Sequence, residues 1–71
     1  MYHFFVEPDQ IGAEEIRIEG GDVNHIRNVL RMRPGEELLL SSRQGGDYSC
    51  RLEEILPDAV VARILGIRVE L

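Results

Sequence analysis

Turn-forming residues divide this chain into short apolar segments, and their spacing restricts the fold more than any other feature of the sequence. Proline or paired glycine occurs at Pro8, Gly20-Gly21, Pro34-Gly35, Gly45-Gly46 and Pro57. Because these residues interrupt regular elements and favour turns, each segment between them has room for one short strand or helix. With 71 residues, the chain is long enough for one compact core and no second domain.

Most of these segments have the period of a half-buried β-strand, in which apolar and polar residues alternate. Strands are predicted at residues 2–6, 14–19, 36–42, 48–53 and 60–71. Gly45-Gly46 is predicted to form a hairpin turn, because glycine readily adopts positive φ. The pattern therefore predicts a mainly β fold: a small barrel of about five to six mostly antiparallel strands with one short α-helix.

The last predicted strand changes phase near its middle. Before Gly66 the apolar residues of one parity are Val60, Ala62 and Ile64, and after it they are Ile67, Val69 and Leu71. A glycine at such a change of parity predicts a β-bulge, which adds one residue to one strand of a pair.

One segment has the period of a helix rather than a strand. Asp22 is predicted as its N-cap, and the helix is expected to stop by Pro34-Gly35. The residues predicted to face the core are Val23, Ile26, Val29 and Leu30. The opposite face is predicted to carry Asn24, Arg27, Asn28 and Arg31, since positions three and four apart are neighbours on a helix.

The charge of the chain is unevenly distributed. The net charge is -5, which by itself argues against a freestanding nucleic-acid binder. Both flanks are acidic, but the middle segment is basic through Arg27, Arg31, Arg33, Arg43 and Arg51. All eight basic residues are arginine, whose planar guanidinium can hold a phosphate through two parallel hydrogen bonds.

Several classes of site are not expected in this sequence. A lone cysteine, Cys50, cannot form an internal disulfide, so it is predicted to be a core residue of a cytoplasmic protein. His3, His25 and Cys50 are too scattered for a zinc site, and no apolar run is long enough to span a membrane. We expect no metal, no membrane and no DNA as partners, and no catalytic site within these residues.

The segment HIRNVLRMRPG at residues 25–35, together with the start Phe4-Phe5-Val6, resembles the RsmE family of bacterial methyltransferases. The resemblance implies that residues 1–71 form the N-terminal PUA-like RNA-binding domain and that the catalytic SPOUT domain is absent. It further implies that the full-length parent enzyme is a homodimer that uses S-adenosylmethionine to methylate N3 of a uridine in 16S ribosomal RNA. This fragment is expected to bind no cofactor.

Five residues are predicted to contact RNA. Arg31 leads, because it belongs to the family segment, and the others are Arg27, Arg33, His3 and Arg43. The helix dipole alone would favour a cation at Arg31 and Arg33, Arg27 could be merely solvated, and the segment around Arg43 could be a plain hairpin. His3 stands where many relatives carry arginine, which weakens the expected phosphate contact there. A structural role is expected for His25, Val29, Leu30 and Gly35. The aromatic residues Tyr2, Phe4, Phe5 and Tyr48 are expected to belong to the core rather than to stack on bases.

Two functions are consistent with these features. The first is a docking domain that binds 16S ribosomal RNA or the small ribosomal subunit for the parent enzyme. The second is a protein-interaction domain that packs on the catalytic half or on a ribosomal protein, which would suit the acidic flanks.

Overall fold

A computed structural model describes residues 1–68 of the chain, so the predicted strand residues Val69 and Leu71 lie outside the described residues. The strands are β1 (His3–Val6), β2 (Glu15–Ile18), β3 (Glu37–Ser42), β4 (Asp47–Ile55) and β5 (Val60–Arg68). A short 3-10 helix, Pro8–Gln10, follows β1, and the helix α1 (Gly21–Asn24) continues directly into a π-helical turn, His25–Val29.

The five strands form one curled, mixed sheet in the order β1-β3-β4-β5-β2. Strand β1 pairs with β3 in parallel, whereas the other three pairings are antiparallel. The sheet curls into a half-barrel, with the first two strands of the sequence at its opposite edges. The prediction of a mainly β, mostly antiparallel fold with one short helix is therefore confirmed.

The core lies on one face of the sheet, where the inward residues of each strand alternate with outward ones. Fully buried side chains include Ile16 and Ile18 of β2, Leu38 and Leu40 of β3, and Val60 of β5. Three consecutive leucines, residues 38–40, predict burial of both faces of β3, but Leu39 is only partly buried. Leu39 points to the second face of the sheet.

Cys50 belongs to this core, as predicted, and has no exposed surface. Burial raises the pKa of its thiol from 9.0 to about 11, because a thiolate would lose its hydration there. The thiol is therefore protonated at neutral pH and serves as a small apolar side chain.

The predicted irregularity in β5 is present. Ser49 lies opposite Gly66 and Cys50 lies opposite Ile64, so Leu65 is the extra residue of a bulge. Beyond the bulge, Ile67 lies on the core side of the sheet, yet its side chain is 59% exposed. At this end β5 has passed the last fully buried residue of β4, Cys50, and the core no longer reaches it.

The hairpin between β3 and β4 turns at its glycine pair, as predicted. Gly45 and Gly46 both have positive φ, +111° and +95°. The amide of Gly45 donates to the carbonyl of Ser42 at 3.0 Å, and the amide of Ser42 donates to the carbonyl of Gly46 at the same distance. Glycine adopts this backbone without the steric cost that a side chain would add.

Two predictions about the helix are wrong. Its N-cap is Gly20, with φ of +77°, and Asp22 lies within the first turn, where its charge favours the helix dipole. Val29 is 60% exposed instead of buried. The π turn explains this exposure, because its wider turn rotates each residue by less than the roughly 100° of an α-helix. Val29 therefore faces solvent, and Leu30 packs against the core instead.

Candidate functional site

Three arginines lie at the end of the helix and just beyond it: Arg27, Arg31 and Arg33, here called the helix-end arginines. All three are exposed. Within residues 1–68, none of them is within ion-pair distance of a carboxylate. Their guanidinium groups are therefore open to an anionic ligand.

The π turn and a buried methionine hold these arginines in place. The amide of Leu30 donates to the carbonyl of His25 at 2.8 Å, and the amide of Met32 donates to the carbonyl of Ile26 at 3.0 Å. Met32 is buried in the core, between Arg31 and Arg33 in the sequence. Since Met32 points inward, the two arginines beside it are directed outward.

Arg31 has an unusual backbone conformation for a residue with a side chain. Its φ is +52°, and within residues 1–68 it is the only residue other than glycine with positive φ. A left-handed residue commonly ends a helix, but glycine is the usual choice because a Cβ costs roughly 1–2 kcal/mol there. Such local strain is often found at functional sites. The guanidinium of Arg31 is the feature that glycine could not supply.

A short turn follows Arg33 and joins the helix to β3. The amide of Arg33 donates to Oε2 of Glu36 at 2.5 Å, and the amide of Glu36 donates to the carbonyl of Arg33 at 3.1 Å. Gly35 has φ of +97°, and its amide donates to the carbonyl of Leu52 at 2.7 Å. Gly35 thus anchors the turn to β4.

Arg43, which was predicted to contact RNA, differs from the helix-end arginines. It lies in the hairpin after β3, and its Nε is 3.0 Å from Oε1 of Glu7. Both side chains are mostly exposed, so the pair contributes about 0–1 kcal/mol and a phosphate could compete for the guanidinium. Arg43 is already partly neutralised, which makes it a weaker candidate.

His3 takes part in a chain of hydrogen bonds on the face of the sheet opposite the core. The hydroxyl of Ser41 donates to Oδ1 of Asp47 at 2.5 Å, and Nε2 of His3 is 2.6 Å from the same hydroxyl. Because a serine hydroxyl has one proton to donate, Nε2 of His3 must carry the hydrogen that it shares with Ser41. Nδ1 is then the ring nitrogen left for a ligand. Sequence reasoning missed Ser41 and Asp47, since only the strand pairing brings them to His3.

His25 packs against β1 from the helix side. Its ring contacts Phe4 edge to face, with centroids 5.8 Å apart, although the histidine remains exposed. Phe4 and Tyr48 are partly buried against the core. The expectation that Tyr2 and Phe5 also belong to the core is wrong, because Phe5 is 58% exposed and Tyr2 is also exposed. Successive residues of a strand point to opposite faces, so Phe4 and Phe5 cannot both face inward.

Two other kinds of feature are absent from residues 1–68. This part of the chain contains no group of three histidine, cysteine or acidic side chains placed to hold a metal ion. Nor does it contain a helix with the length and apolar character needed to cross a membrane.

Comparison with known proteins connects this geometry to a family. Residues 18–65 match the family model described as RNA methyltransferase PUA domain. The chain is 31% identical over 68 residues to ribosomal RNA small subunit methyltransferase E of Bacillus subtilis, and it covers 27% of that protein. The chain therefore spans about a quarter of the length of this relative.

Solved structures show the same fold. The ribosomal RNA small subunit methyltransferase E of Neisseria gonorrhoeae, solved with S-adenosyl methionine bound, superposes with a TM-score of 0.78 and 28% identity. The match covers 96% of this chain and 28% of that one. A predicted RNA methyltransferase of Thermotoga maritima superposes with a TM-score of 0.86 over all of this chain and 31% of its own, but at 18% identity it supports the fold alone.

Proposed function

Because the chain belongs to the RNA methyltransferase PUA domain family, and its resemblance to the RsmE family is confirmed by relatives of that name, we propose that it docks a ribosomal RNA methyltransferase on RNA. The docking surface consists of the helix-end arginines. Their ligand is the phosphate backbone of folded 16S ribosomal RNA, within the small ribosomal subunit or its precursors in the cytoplasm.

One observation carries this proposal: the helix-end arginines have no carboxylate partner within residues 1–68. An acidic domain has many carboxylates that could neutralise its arginines, and within residues 1–68 they pair with Arg17, Arg43, Arg51 and Arg63. Three unneutralised guanidinium groups within seven residues give a local positive potential that attracts phosphates despite the net charge of -5. The strained backbone of Arg31 adds support, because an arginine occupies a left-handed position where glycine would have no steric cost.

Docking by this domain alone should be weak. Most of the length of the relatives lies outside the residues that this chain matches. In our proposal, a longer parent protein binds S-adenosylmethionine, methylates N3 of a uridine and forms a homodimer, none of which residues 1–68 carry out. Linking two weak RNA sites in one dimer raises the effective concentration of each, so the dimer would bind far more tightly than the domain.

The proposal is tested by titrating the chain with fragments of 16S ribosomal RNA over a range of salt concentrations. Replacing Arg27, Arg31 and Arg33 together by alanine should nearly abolish binding. Arg31→Ala alone should reduce the slope of log affinity against log salt by about 0.7–0.9, as expected for one lost phosphate contact.

Arg17→Ala is the matched control, because it also removes one positive charge. Arg17 is exposed on β2 and already paired with Glu19 at 3.2 Å. If Arg17→Ala and Arg31→Ala weaken binding equally, the effect is one of net charge and the docking surface is wrongly assigned. If RNA does not bind at all but the parent's catalytic half or a ribosomal protein does, the protein-interaction function replaces this one.

A further inference from the structure

The face of the sheet opposite the core carries two rows of aligned residues. In the first row His3, Leu39, Ser49 and Gly66 lie side by side across β1, β3, β4 and β5. In the second row, the aligned residues are Phe5, Ser41, Asp47 and Arg68. Residues directly opposite one another in a sheet point to the same face. These eight residues are here called the outer face.

A depression of about 360 Å³ opens on the outer face. It is lined by Leu39, Asp47, Ser49, Gly66, Ile67 and Arg68. Leu39 is apolar, Asp47 and Ser49 can accept hydrogen bonds, and Arg68 carries a positive charge. The volume is at the lower end of the range for sites that hold small molecules, which is roughly 300–1,000 Å³.

Gly66 keeps this depression open. A Cβ built at this position meets no atom within 4 Å, and φ is not in the left-handed region. The backbone would therefore accept a side chain, and the protein core does not require glycine here. What the missing side chain provides is space on the outer face beside Ser49.

Aromatic rings lie at the β1 side of the same face. The rings of His3 and Phe5 have centroids 4.9 Å apart, and Phe5 is mostly exposed. The hydrogen bond to Ser41 holds the ring of His3, and Ser41 is itself only 5% exposed and bonded to Asp47. Exposed rings with restricted orientation on a sheet are a suitable surface for stacking unpaired bases.

We propose that the outer face binds one unpaired nucleotide of the RNA, a site separate from the helix-end arginines that rests on the proposed docking function. The base packs against Leu39 and the ring of His3 or Phe5, and Arg68 pairs with the phosphate. Asp47 uses Oδ1 for Ser41, so Oδ2 accepts a hydrogen bond from the base edge. The amino groups of cytosine, adenine and guanine can donate this bond. Uracil has no amino group and offers only its ring N3–H, which lies between two carbonyl oxygens that the carboxylate repels.

The experiment uses the isotope-labelled chain and follows its amide resonances during titration with the four nucleoside 5′-monophosphates. CMP, AMP and GMP should shift the amides of Ser49, Gly66 and Arg68, and UMP should shift them less. Gly66→Val should weaken binding at least about fivefold by filling the depression, on the scale of the loss of one stacked base. Arg68→Gln should also weaken it, and this second variant keeps the glycine and the backbone unchanged.

Leu65→Ala is the matched control, since Leu65 is an exposed neighbour that does not line the depression. The site is wrong if no nucleotide shifts these amides, as expected if a protein covers this face, or if Gly66→Val binds as tightly as Leu65→Ala. Arg31→Ala separates the two proposals. If Arg31→Ala weakens RNA binding but no nucleotide shifts the outer-face amides of the unchanged chain, only the outer-face site is overturned. If nucleotides shift these amides but Arg31→Ala binds RNA as tightly as the unchanged chain, only the docking surface is overturned.

Discussion

Four arginines of the strands and hairpin and the three helix-end arginines have the same chemistry but different neighbours. Arg17, Arg43, Arg51 and Arg63 each have a carboxylate within ion-pair distance, from 2.8 to 3.8 Å. The helix-end arginines have none within residues 1–68. Exposure does not distinguish the two groups, because all seven are exposed. The difference teaches that a basic segment of sequence can offer a phosphate site only where folding leaves its charges unpaired.

Strand pairing produces part of this difference. Arg51 lies directly opposite Glu37 in the β3–β4 register, and Arg63 on β5 reaches Glu53 on β4. A cross-strand pair of opposite charges is favourable by roughly 0.2–1 kcal/mol, so a sheet tends to neutralise its own exposed charges. The end of a helix has no such neighbouring strand. The turn after it directs Glu36 to the backbone amide of Arg33 rather than to a guanidinium.

The largest effect on stability is expected from removing the buried side chain that packs the helix end against the core. Ile26 is fully buried beneath it. Ile26→Ala should lower the free energy of unfolding by about 2–5 kcal/mol, because it leaves a cavity in a small core. RNA binding should fall with the folded fraction. Urea unfolding followed by circular dichroism measures the change.

Val29→Ala is the control for this prediction, and it also tests the π turn. The sequence pattern places Val29 beside Ile26 in the core, whereas the structure exposes it. The loss of stability should therefore stay within about 0.5 kcal/mol. A loss as large as that of Ile26→Ala would mean that the helix is a regular α-helix with Val29 inside.

A smaller effect separates the stability of the helix end from its charge. Arg31→Gly should raise the free energy of unfolding by about 0.5–1 kcal/mol, because glycine adopts positive φ without the steric cost of a Cβ. The same change should weaken RNA binding. Thermal or urea unfolding and an RNA titration together test this prediction.

Arg31→Ala is the matched variant, since it removes the same charge but keeps a Cβ at the left-handed position. It should weaken RNA binding as much as Arg31→Gly without the gain in stability. Equal stability of the two variants would show that the backbone at Arg31 is unstrained.

The smallest effect should come from converting a paired arginine into an unpaired one. Glu7→Gln removes the charge that neutralises Arg43. RNA affinity should rise by about twofold, since an exposed ion pair is worth only about 0.2–1 kcal/mol. Glu19→Gln makes the same change in net charge but releases Arg17 on β2. If the two variants raise affinity equally, Arg43 adds nothing beyond net charge.

Much of the fold could be predicted because its signals are local. Alternation identified the strands, the pair Gly45-Gly46 identified a hairpin, and Gly66 identified the bulge within one residue. Each of these signals depends on the geometry of a few consecutive residues. The prediction failed where a small departure from ideal geometry changed the outcome, as in the π turn that exposes Val29.

The candidate sites depended more on long-range contacts. The sequence singled out Arg27, Arg31 and Arg33, but it ranked Arg43 with them because Glu7 is distant in sequence. His3 was predicted only to contact RNA. Its hydrogen bond with Ser41, 38 residues away, makes it part of a hydrogen-bonded chain. No local pattern indicates that Phe5 faces outward rather than Phe4.

What this sequence determined by itself is therefore its set of short strands, its single helical segment and the arginines at the end of that segment, because backbone propensity and periodicity act between near neighbours. Only the tertiary structure decided the strand order, the carboxylates that neutralise Arg43, Arg51 and Arg63, and the alignment of the outer face. These features arise from pairings between residues far apart in the chain, and such pairings exist only once the sheet has formed.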